Sequence, residues 1–191
     1  FRDAEAIERL GSIDTLIVDK TGTLTEGRPA YQQDLVMPGF ESDQLLRLAG
    51  SLEQSSEHPL ATAIVAEAGR RGLALAAAEE FDSITGIGVR GRVQGQALSL
   101  GSQVFMAETG VDTAPLGERS EALRQAGASV VFLSVDGRLA GALAVADRIK
   151  ATTPEALRQL RAAGLRIVMA SGDAQATAEA ASQPLRMRIQ R

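Results

Sequence analysis

The residues of this sequence that are most clearly suited to chemistry form one unbroken run near the beginning of the chain. The run follows an apolar stretch that closes on an aspartate, and it reads Asp19-Lys20-Thr21-Gly22-Thr23-Leu24-Thr25. A carboxylate at the end of a strand can attack a phosphoryl group and become an aspartyl-phosphate. Because the transferring group carries charge, the reaction needs Mg²⁺ and preorganised donors, and the hydroxyls and amides of such a turn form a phosphate cradle. The run therefore predicts phosphoryl transfer to Asp19.

A second run contains the only histidine of the chain and reads Ser56-Glu57-His58-Pro59-Leu60. An imidazole can serve as a flat anchor for a purine ring. An isolated histidine in front of a helix is, however, more often structural than functional. The run by itself leaves both interpretations open.

A glycine-rich segment follows, with the sequence Gly86-Ile87-Gly88-Val89-Arg90-Gly91. Its spacing matches a dinucleotide fingerprint, but it does not join a strand to a helix, and no ribose-binding acid is evident. Glycines of this kind mark either a bend in a strand or a place where a ligand approaches the backbone closely. Both interpretations remain open on the residues alone.

Three shorter segments add polar groups to this inventory. They are Leu100-Gly101-Ser102-Gln103, Asp147-Arg148-Ile149-Lys150 and Ala170-Ser171-Gly172-Asp173. The Ser171 hydroxyl and the backbone amides at the start of a following helix can hold a phosphate oxygen. The segment around Asp147 is equally typical of the charged first turn of an ordinary helix.

The elements that must position these residues fall into two different patterns of predicted secondary structure. Buried strands predicted over 13–18 and 165–170 end on Asp19 and just before Ser171, where open α/β sheets hold their chemistry. Helices are predicted next to the second strand over 151–163 and 173–181. The segment in between predicts an α+β insertion, with helices over 43–54, 60–71 and 116–126, short strands over 81–84, 88–93 and 97–100, and a hairpin of 129–135 with 139–145.

Two segments carry no such periodicity. Residues 28–42 contain two prolines and a glycine and are expected to be irregular up to a helix cap at Ser42. The C-terminal residues 186–191 are expected to have no partner element.

Composition excludes several classes of function. A net charge of −4 without a basic tract argues against nucleic-acid binding. The lack of cysteine and the single histidine argue against a thiolate or zinc site. No apolar run reaches the roughly 18–20 residues that a membrane-spanning helix needs.

The run that begins at Asp19 resembles the phosphorylation signature of the P-type ATPases, whose phosphorylation domain is similar to the haloacid dehalogenases. The Ser-Glu-His-Pro of residues 56–59 resembles the same run in their heavy-metal branch. The amino-acid sequence as a whole is most similar to that of the copper-exporting members. The resemblance implies an α/β, Rossmann-like phosphorylation domain over 1–28 and 138–191, expected to be incomplete. It also implies an inserted α+β nucleotide-binding domain over 29–137.

The resemblance implies a set of residues for phosphorylation. Asp19 would be the phosphorylated residue and would bind Mg²⁺ together with the main-chain carbonyl of Thr21, beside Lys20. Asp147 would lie near this site and help to hold the return from the insertion. The phosphate would also be held by Ser171, Gly172 and Asp173.

A second implied set would bind ATP. Glu57 and His58 would contact the adenine, and Gly86 and Gly88 would line the pocket. Ser102 stands where the family usually has an asparagine, so it is expected to make a weaker or rearranged contact.

The implied function is the cytosolic ATP-binding and aspartyl-phosphorylation portion of an ATP-driven heavy-metal exporter, with copper favoured over zinc. Its partners would be ATP and the membrane and actuator domains of the parent transporter, at the cytosolic face of a membrane. The chain alone is expected to be soluble and to turn over little ATP. Two alternatives remain: a nucleotide-binding module without catalysis, and a haloacid dehalogenase-like phosphatase. Such phosphatases carry a second aspartate where this chain has Thr21, which favours a persistent phosphoenzyme.

Overall fold

The structure is a computed structural model that describes residues 13–84, 86–170 and 188–190. The chain divides into two units, one formed by Phe1–Gly27 with Arg148–Arg191 and the other by Arg28–Asp147. An α/β unit is thus interrupted by an α+β unit, as the sequence predicts. The return from the insertion lies after Asp147 and not at residue 137, because the strand in between pairs within the inserted sheet.

The interrupted unit contains a parallel sheet. Strand β1 (Thr15–Asp19) pairs with β8 (Arg166–Ala170), which pairs with β9 (Arg188–Gln190). Helix α5 (Thr153–Ala162) contributes Leu157 to a small core with Leu24, Ile167 and Met169. Strand β9 corrects the expectation that the C-terminal residues have no partner, because tertiary pairing with β8 supplies the hydrogen bonds that local sequence does not reveal.

The inserted unit is built on one antiparallel sheet with the strand order β2-β7-β6-β5-β4-β3. Its strands are β2 (Ala30–Val36), β3 (Ala78–Ile84), β4 (Gly88–Val93), β5 (Gln96–Gly101), β6 (Ser129–Val135) and β7 (Arg138–Ala146). Its helices are α1 (Ser42–Glu53), α2 (Pro59–Arg70), α3 (Gln103–Glu108) and α4 (Gly117–Gln125), the last preceded by a tight turn at Ala114–Leu116.

Both faces of this sheet are covered, because side chains alternate along each strand. In β6, Leu133 and Val135 face a core that includes the apolar stripes of α1 and α2. Val130 and Phe132 face a second core with Phe105 of α3. The helices and the hairpin predicted for this unit are present with ends shifted by at most one residue, and β3 begins three residues before the predicted strand.

Strand β2 was not expected from the sequence. It lies at the edge of the sheet and carries mainly polar or half-exposed side chains, so it lacks the pattern of a buried strand. Its pairing with β7 is what makes it a strand. Helix α3 was also missed, since six residues are too few for a clear helical period.

The β4–β5 ladder yields a stability prediction. A Cβ on Gly101 would lie 2.4 Å from the Ile87 carbonyl oxygen and 2.7 Å from the Phe105 ring. Gly101→Ala is therefore expected to lower the free energy of unfolding by about 1–3 kcal/mol, measured by urea denaturation. Gly69→Ala, at an exposed helical position with open space around it, is the control and should stabilise by about 0.5–1 kcal/mol. Equal effects of the two variants would contradict the packing argument.

Candidate functional site

Asp19 is the last residue of β1 and is exposed. Its partner in the neighbouring strand is Ala170, the last residue of β8, so the carboxyl ends of two parallel strands meet at this carboxylate. The residues after Asp19 form a tight turn over Lys20–Leu24. Thr21 is extended there, with φ −76° and ψ 124°, and Gly22 has φ +75°.

Hydrogen bonds from two sides hold this turn. The Gly22 amide donates to the hydroxyl of buried Thr25 at 3.1 Å, and the Lys150 ammonium donates to the Gly22 carbonyl at 2.6 Å. The carbonyl of Leu24 accepts from the Lys150 amide at 3.0 Å and from the Thr153 hydroxyl at 2.7 Å. The segment that leads into α5 therefore braces the turn that follows Asp19.

The structure describes only some of the other residues that were predicted to take part in phosphorylation. Asp147 is the last residue of the inserted unit, and its carboxylate accepts from the Arg28 amide at 3.2 Å, which ties the first residue of that unit to its last. Nothing is described of the Lys20 side chain. Ser171, Gly172 and Asp173 lie outside the described residues, as does the helix predicted over 173–181.

Magnesium suits the oxygen atoms at this position. Mg²⁺ is commonly bound by one or two carboxylates together with substrate phosphates and water, and the exposed Asp19 carboxylate and the Thr21 carbonyl are donors of that type. Within the part of the chain that the structure describes, no three acidic, histidine or cysteine side chains cluster as a metal site.

His58 has a defined place at the start of α2. Its Nδ1 accepts a hydrogen bond from the Leu60 amide at 3.1 Å, so the imidazole caps the helix, with Pro59 as the first helical residue. Because Nδ1 is the acceptor, the neutral ring carries its proton on Nε2. The exposed ring thus offers an aromatic face and an Nε2–H donor.

Glu53 is a candidate that sequence reasoning missed. It ends α1, is 7% exposed, and its Oε2 atom is buried without a hydrogen-bond partner. Burial raises the pKa of this carboxyl, and a hydrogen bond with the Ser56 side chain partly opposes the rise. The Ser56 hydroxyl also accepts from the His58 amide at 3.3 Å, so Glu53 and His58 belong to one group. Glu57, the carboxylate predicted from the sequence, is exposed.

The glycine segment and Ser102 are brought together in the β4–β5 hairpin. The Ser102 amide donates to the Ile87 carbonyl at 2.8 Å, and Gly88 pairs with Gly101. The Ser102 hydroxyl accepts from the Phe105 amide at 3.2 Å and caps α3.

The two glycines have different reasons to be glycine. A Cβ on Gly88 would lie 2.4 Å from the Phe105 ring, so this residue is required by packing. Gly86 has φ +81° with open space around it, so the turn alone requires glycine there.

Helix α1 connects these two groups. Leu52, the neighbour of Glu53, packs against β4, and its Cδ1 lies 3.1 Å from the position of a Cβ on Gly91. Leu52 and Val89 belong to the same core. The Glu53–His58 group is therefore attached to the strand that carries the glycine segment.

The amino-acid sequence is similar to those of known protein families and individual proteins. The sequence profile of the haloacid dehalogenase-like hydrolases matches residues 13–188. The chain is 49% identical over 185 residues to a copper-transporting P-type ATPase of Rhizobium leguminosarum bv. viciae, covering 97% of this chain and 22% of the relative. It is 44% identical over 186 residues to a silver exporting P-type ATPase of Salmonella typhimurium, with 97% and 22% coverage.

A solved structure has the same fold. The crystal structure of a zinc-transporting PIB-type ATPase in its E2.Pi state superposes with a TM-score of 0.77 at 30% identity, covering 97% of this chain and 30% of that one. The chain spans about a fifth of the length of the two curated relatives.

The buried carboxyl of Glu53 generates a pH prediction. Because its folded-state pKa lies above the unfolded-state value of about 4.3, the stability gained from its proton is present at low pH and is lost as the pH rises through the folded-state pKa. Glu53→Gln should match the wild type near pH 4 and exceed its free energy of unfolding by about 1–3 kcal/mol above the folded-state pKa.

Urea denaturation of both proteins at pH 4 and pH 8 measures this difference. Glu57→Gln, at the exposed neighbouring carboxylate, is the matched control. A Glu53→Gln difference that is the same at both pH values would contradict the assignment of a buried, poorly solvated carboxyl.

Proposed function

Because this chain belongs to the haloacid dehalogenase-like hydrolase family and is homologous to heavy-metal P-type ATPases over almost its whole length, we propose that it is the ATP-binding and aspartyl-phosphorylation portion of an ATP-driven heavy-metal exporter. One observation carries the proposal. An exposed carboxylate, Asp19, ends a parallel strand, and the turn that follows it is held by hydrogen bonds on both sides.

The proposed reaction is a phosphoryl transfer to Asp19. A carboxylate oxygen of Asp19 forms a bond to the γ-phosphorus of ATP, the bond from that phosphorus to the β,γ-bridging oxygen breaks, and ADP leaves with the electron pair. Asp19 and the Thr21 carbonyl are the proposed ligands of Mg²⁺, which when bound supplies positive charge against the transferring group. The described turn keeps the nucleophile and the adjacent backbone in one arrangement, so little reorganisation is needed.

ATP recognition is proposed for the inserted unit. The face of His58 would stack on the adenine, since every nucleic-acid base has a π-face on which an aromatic ring can stack. The buried, unpartnered Oε2 of Glu53 would accept a hydrogen bond from an amino group of the base, which would explain why this oxygen atom has no partner within the chain. Glu57 remains a proposed contact at the exposed rim of the same group.

The hairpin residues would approach the remainder of the nucleotide. Gly86 leaves open space beside the backbone. The Ser102 hydroxyl already accepts from Phe105, so its own proton is the group left for an oxygen of the ligand. Gly88 would act by letting Phe105 pack beneath this turn.

We propose copper as the cargo of the parent transporter, and its membrane and actuator domains as partners at the cytosolic face of a membrane. The copper assignment rests on the names of relatives such as the Rhizobium protein. In residues 13–84, 86–170 and 188–190, no helix is both long and apolar enough to span a bilayer. Thr21, in the place of a second aspartate, argues against a phosphatase.

The capping role of His58 allows a sharp test of ATP binding. Asparagine is a good helix cap, so His58→Asn keeps an acceptor for the Leu60 amide but removes the ring. We expect this variant to be as stable as the wild type and to lose about 1–3 kcal/mol of ATP affinity, roughly 5- to 150-fold in the dissociation constant measured by calorimetric titration. His58→Ala should lose the same affinity and about 1 kcal/mol of stability as well. Wild-type affinity in a folded His58→Asn variant would exclude the stacking role.

Phosphorylation is tested by labelling with [γ-³²P]ATP and Mg²⁺. The wild-type chain should acquire acid-stable label, and Asp19→Asn should acquire none, because the amide is not a nucleophile of this kind. Asp14→Asn, at an exposed carboxylate just before β1, is the control and should be labelled normally. ATP binding without label in the wild type would favour the alternative of a nucleotide-binding module.

A further inference from the structure

We propose that Lys150 is a positioning residue for the phosphorylation turn, which it holds by donating from its ammonium group to the Gly22 carbonyl at 2.6 Å. The inference rests on the proposed phosphorylation of Asp19. Lys150 lies 128 residues from Gly22 in sequence and in the same unit. The sequence singled out the segment Asp147-Arg148-Ile149-Lys150 but assigned a role in it only to Asp147.

Gly22 is the point at which hydrogen bonds from two segments reach this turn. Its φ of +75° lies in the left-handed region that glycine adopts readily. Open space surrounds the position of a Cβ on Gly22, so packing at that position does not fix the residue. Two hydrogen bonds hold its peptide groups, the amide to Thr25 on one side and the carbonyl to Lys150 on the other.

The Lys150 contact also sets the next amide. In a trans peptide the carbonyl and the following N–H point in opposite directions, and the structure has no cis peptide bonds among the residues it describes. Drawing the Gly22 carbonyl toward Lys150 directs the Thr23 N–H away from the ammonium. Loss of the contact lets this peptide plane rotate, which changes the set of donors that the turn presents.

Lys150 is itself well anchored. Its own amide donates to the Leu24 carbonyl at 3.0 Å, and Ile149 forms a bridge with Thr25. The side chain thus closes a short, braced loop and is not a freely moving surface cation. An ammonium group is compact and donates in several directions, which suits a single carbonyl acceptor better than the planar fork of arginine.

Composition points to the same turn. The chain has 20 basic residues, and only Lys20 and Lys150 among them are lysine. Both belong to the segments that form or brace the turn after Asp19. In a chain that otherwise uses arginine for its cations, both lysines belong to segments next to the carboxylate at which phosphoryl charge would arrive.

The test compares Lys150→Gln with Arg148→Gln in the full chain. Arg148 is an exposed cation two residues away and controls for loss of charge alone. In Lys150→Gln we expect the maximal rate of ³²P labelling to fall about ten- to hundredfold. The ATP concentration for half-maximal labelling and the calorimetric ATP affinity should stay within about twofold, because the ligand residues of the inserted unit are unchanged. Lys150→Arg, which retains a cationic donor, should be labelled faster than Lys150→Gln.

A second readout does not depend on phosphorylation. The ¹³C carbonyl resonance of Gly22 and the ¹⁵N resonance of Thr23 should move in Lys150→Gln and stay in place in Arg148→Gln. Unchanged resonances in Lys150→Gln, a labelling rate equal to that of the wild type, or an equal loss in Arg148→Gln would each overturn the proposal. If the wild type itself is not labelled, the proposed function fails, and the resonances alone decide the role of Lys150.

Discussion

The parallel pairing of β1 with β8 is the constraint on which the rest of this chain depends. It sets Asp19 opposite Ala170, although about 150 residues separate them. Parallel strands need a crossover connection, which α5 supplies, and the insertion interrupts the chain between the turn after β1 and the start of α5. Each unit closes this interruption with its own contacts: the Glu26 amide donates to the Arg148 carbonyl, and the Arg28 amide donates to the Asp147 carboxylate. The inserted sheet then places the strand that leaves, β2, beside the strand that returns, β7.

Each unit contains a backbone turn with glycine that neighbouring groups hold in place. Gly22 has open space at its Cβ position, and its peptide groups make hydrogen bonds with the Thr25 hydroxyl and the Lys150 ammonium. The turn before Gly88 is held differently, by close packing of the Phe105 ring against the hairpin. Hydrogen bonds suit the first turn, because residues 21–23 are exposed and cannot be held by core packing. Packing suits the second, where an aromatic ring fills the space beneath the backbone.

The inserted unit contains one destabilising group near His58, the buried carboxyl of Glu53. A carboxylate buried without a partner destabilises the folded chain, and Glu53 is the only described residue with such an oxygen atom. Buried polar atoms in native proteins nearly always have a hydrogen-bond partner, so this atom requires a specific explanation. The neighbouring helix cap carries no such unpartnered atom. Nδ1 of His58 accepts the hydrogen bond that caps the helix, and the ring face and Nε2 are the parts that the proposed function assigns to binding. Stability and recognition are therefore divided between atoms of the same short loop.

What the sequence determined by itself was whatever depends on neighbours along the chain. The strand before Asp19, the helices with apolar stripes, the hairpin at Asp136-Gly137 and the inserted α+β segment all follow from local periodicity and turn chemistry. The signature run predicts Asp19 as the reactive carboxylate for the same reason. Homology then extended these local signals to a family, and the assignment of individual ligand residues remains a prediction.

Only the tertiary structure decided the features that depend on distant partners. Strands β2 and β9 exist because β7 and β8 offer them free edges, which no local pattern records. The burial of Glu53 follows from how α1 packs on the sheet, since its sequence resembles that of an exposed helix end. The brace from Lys150 to Gly22 joins residues 128 positions apart. Periodicity describes one face of one element, whereas a site is made where several elements meet, and that meeting is set by the packing of the whole chain.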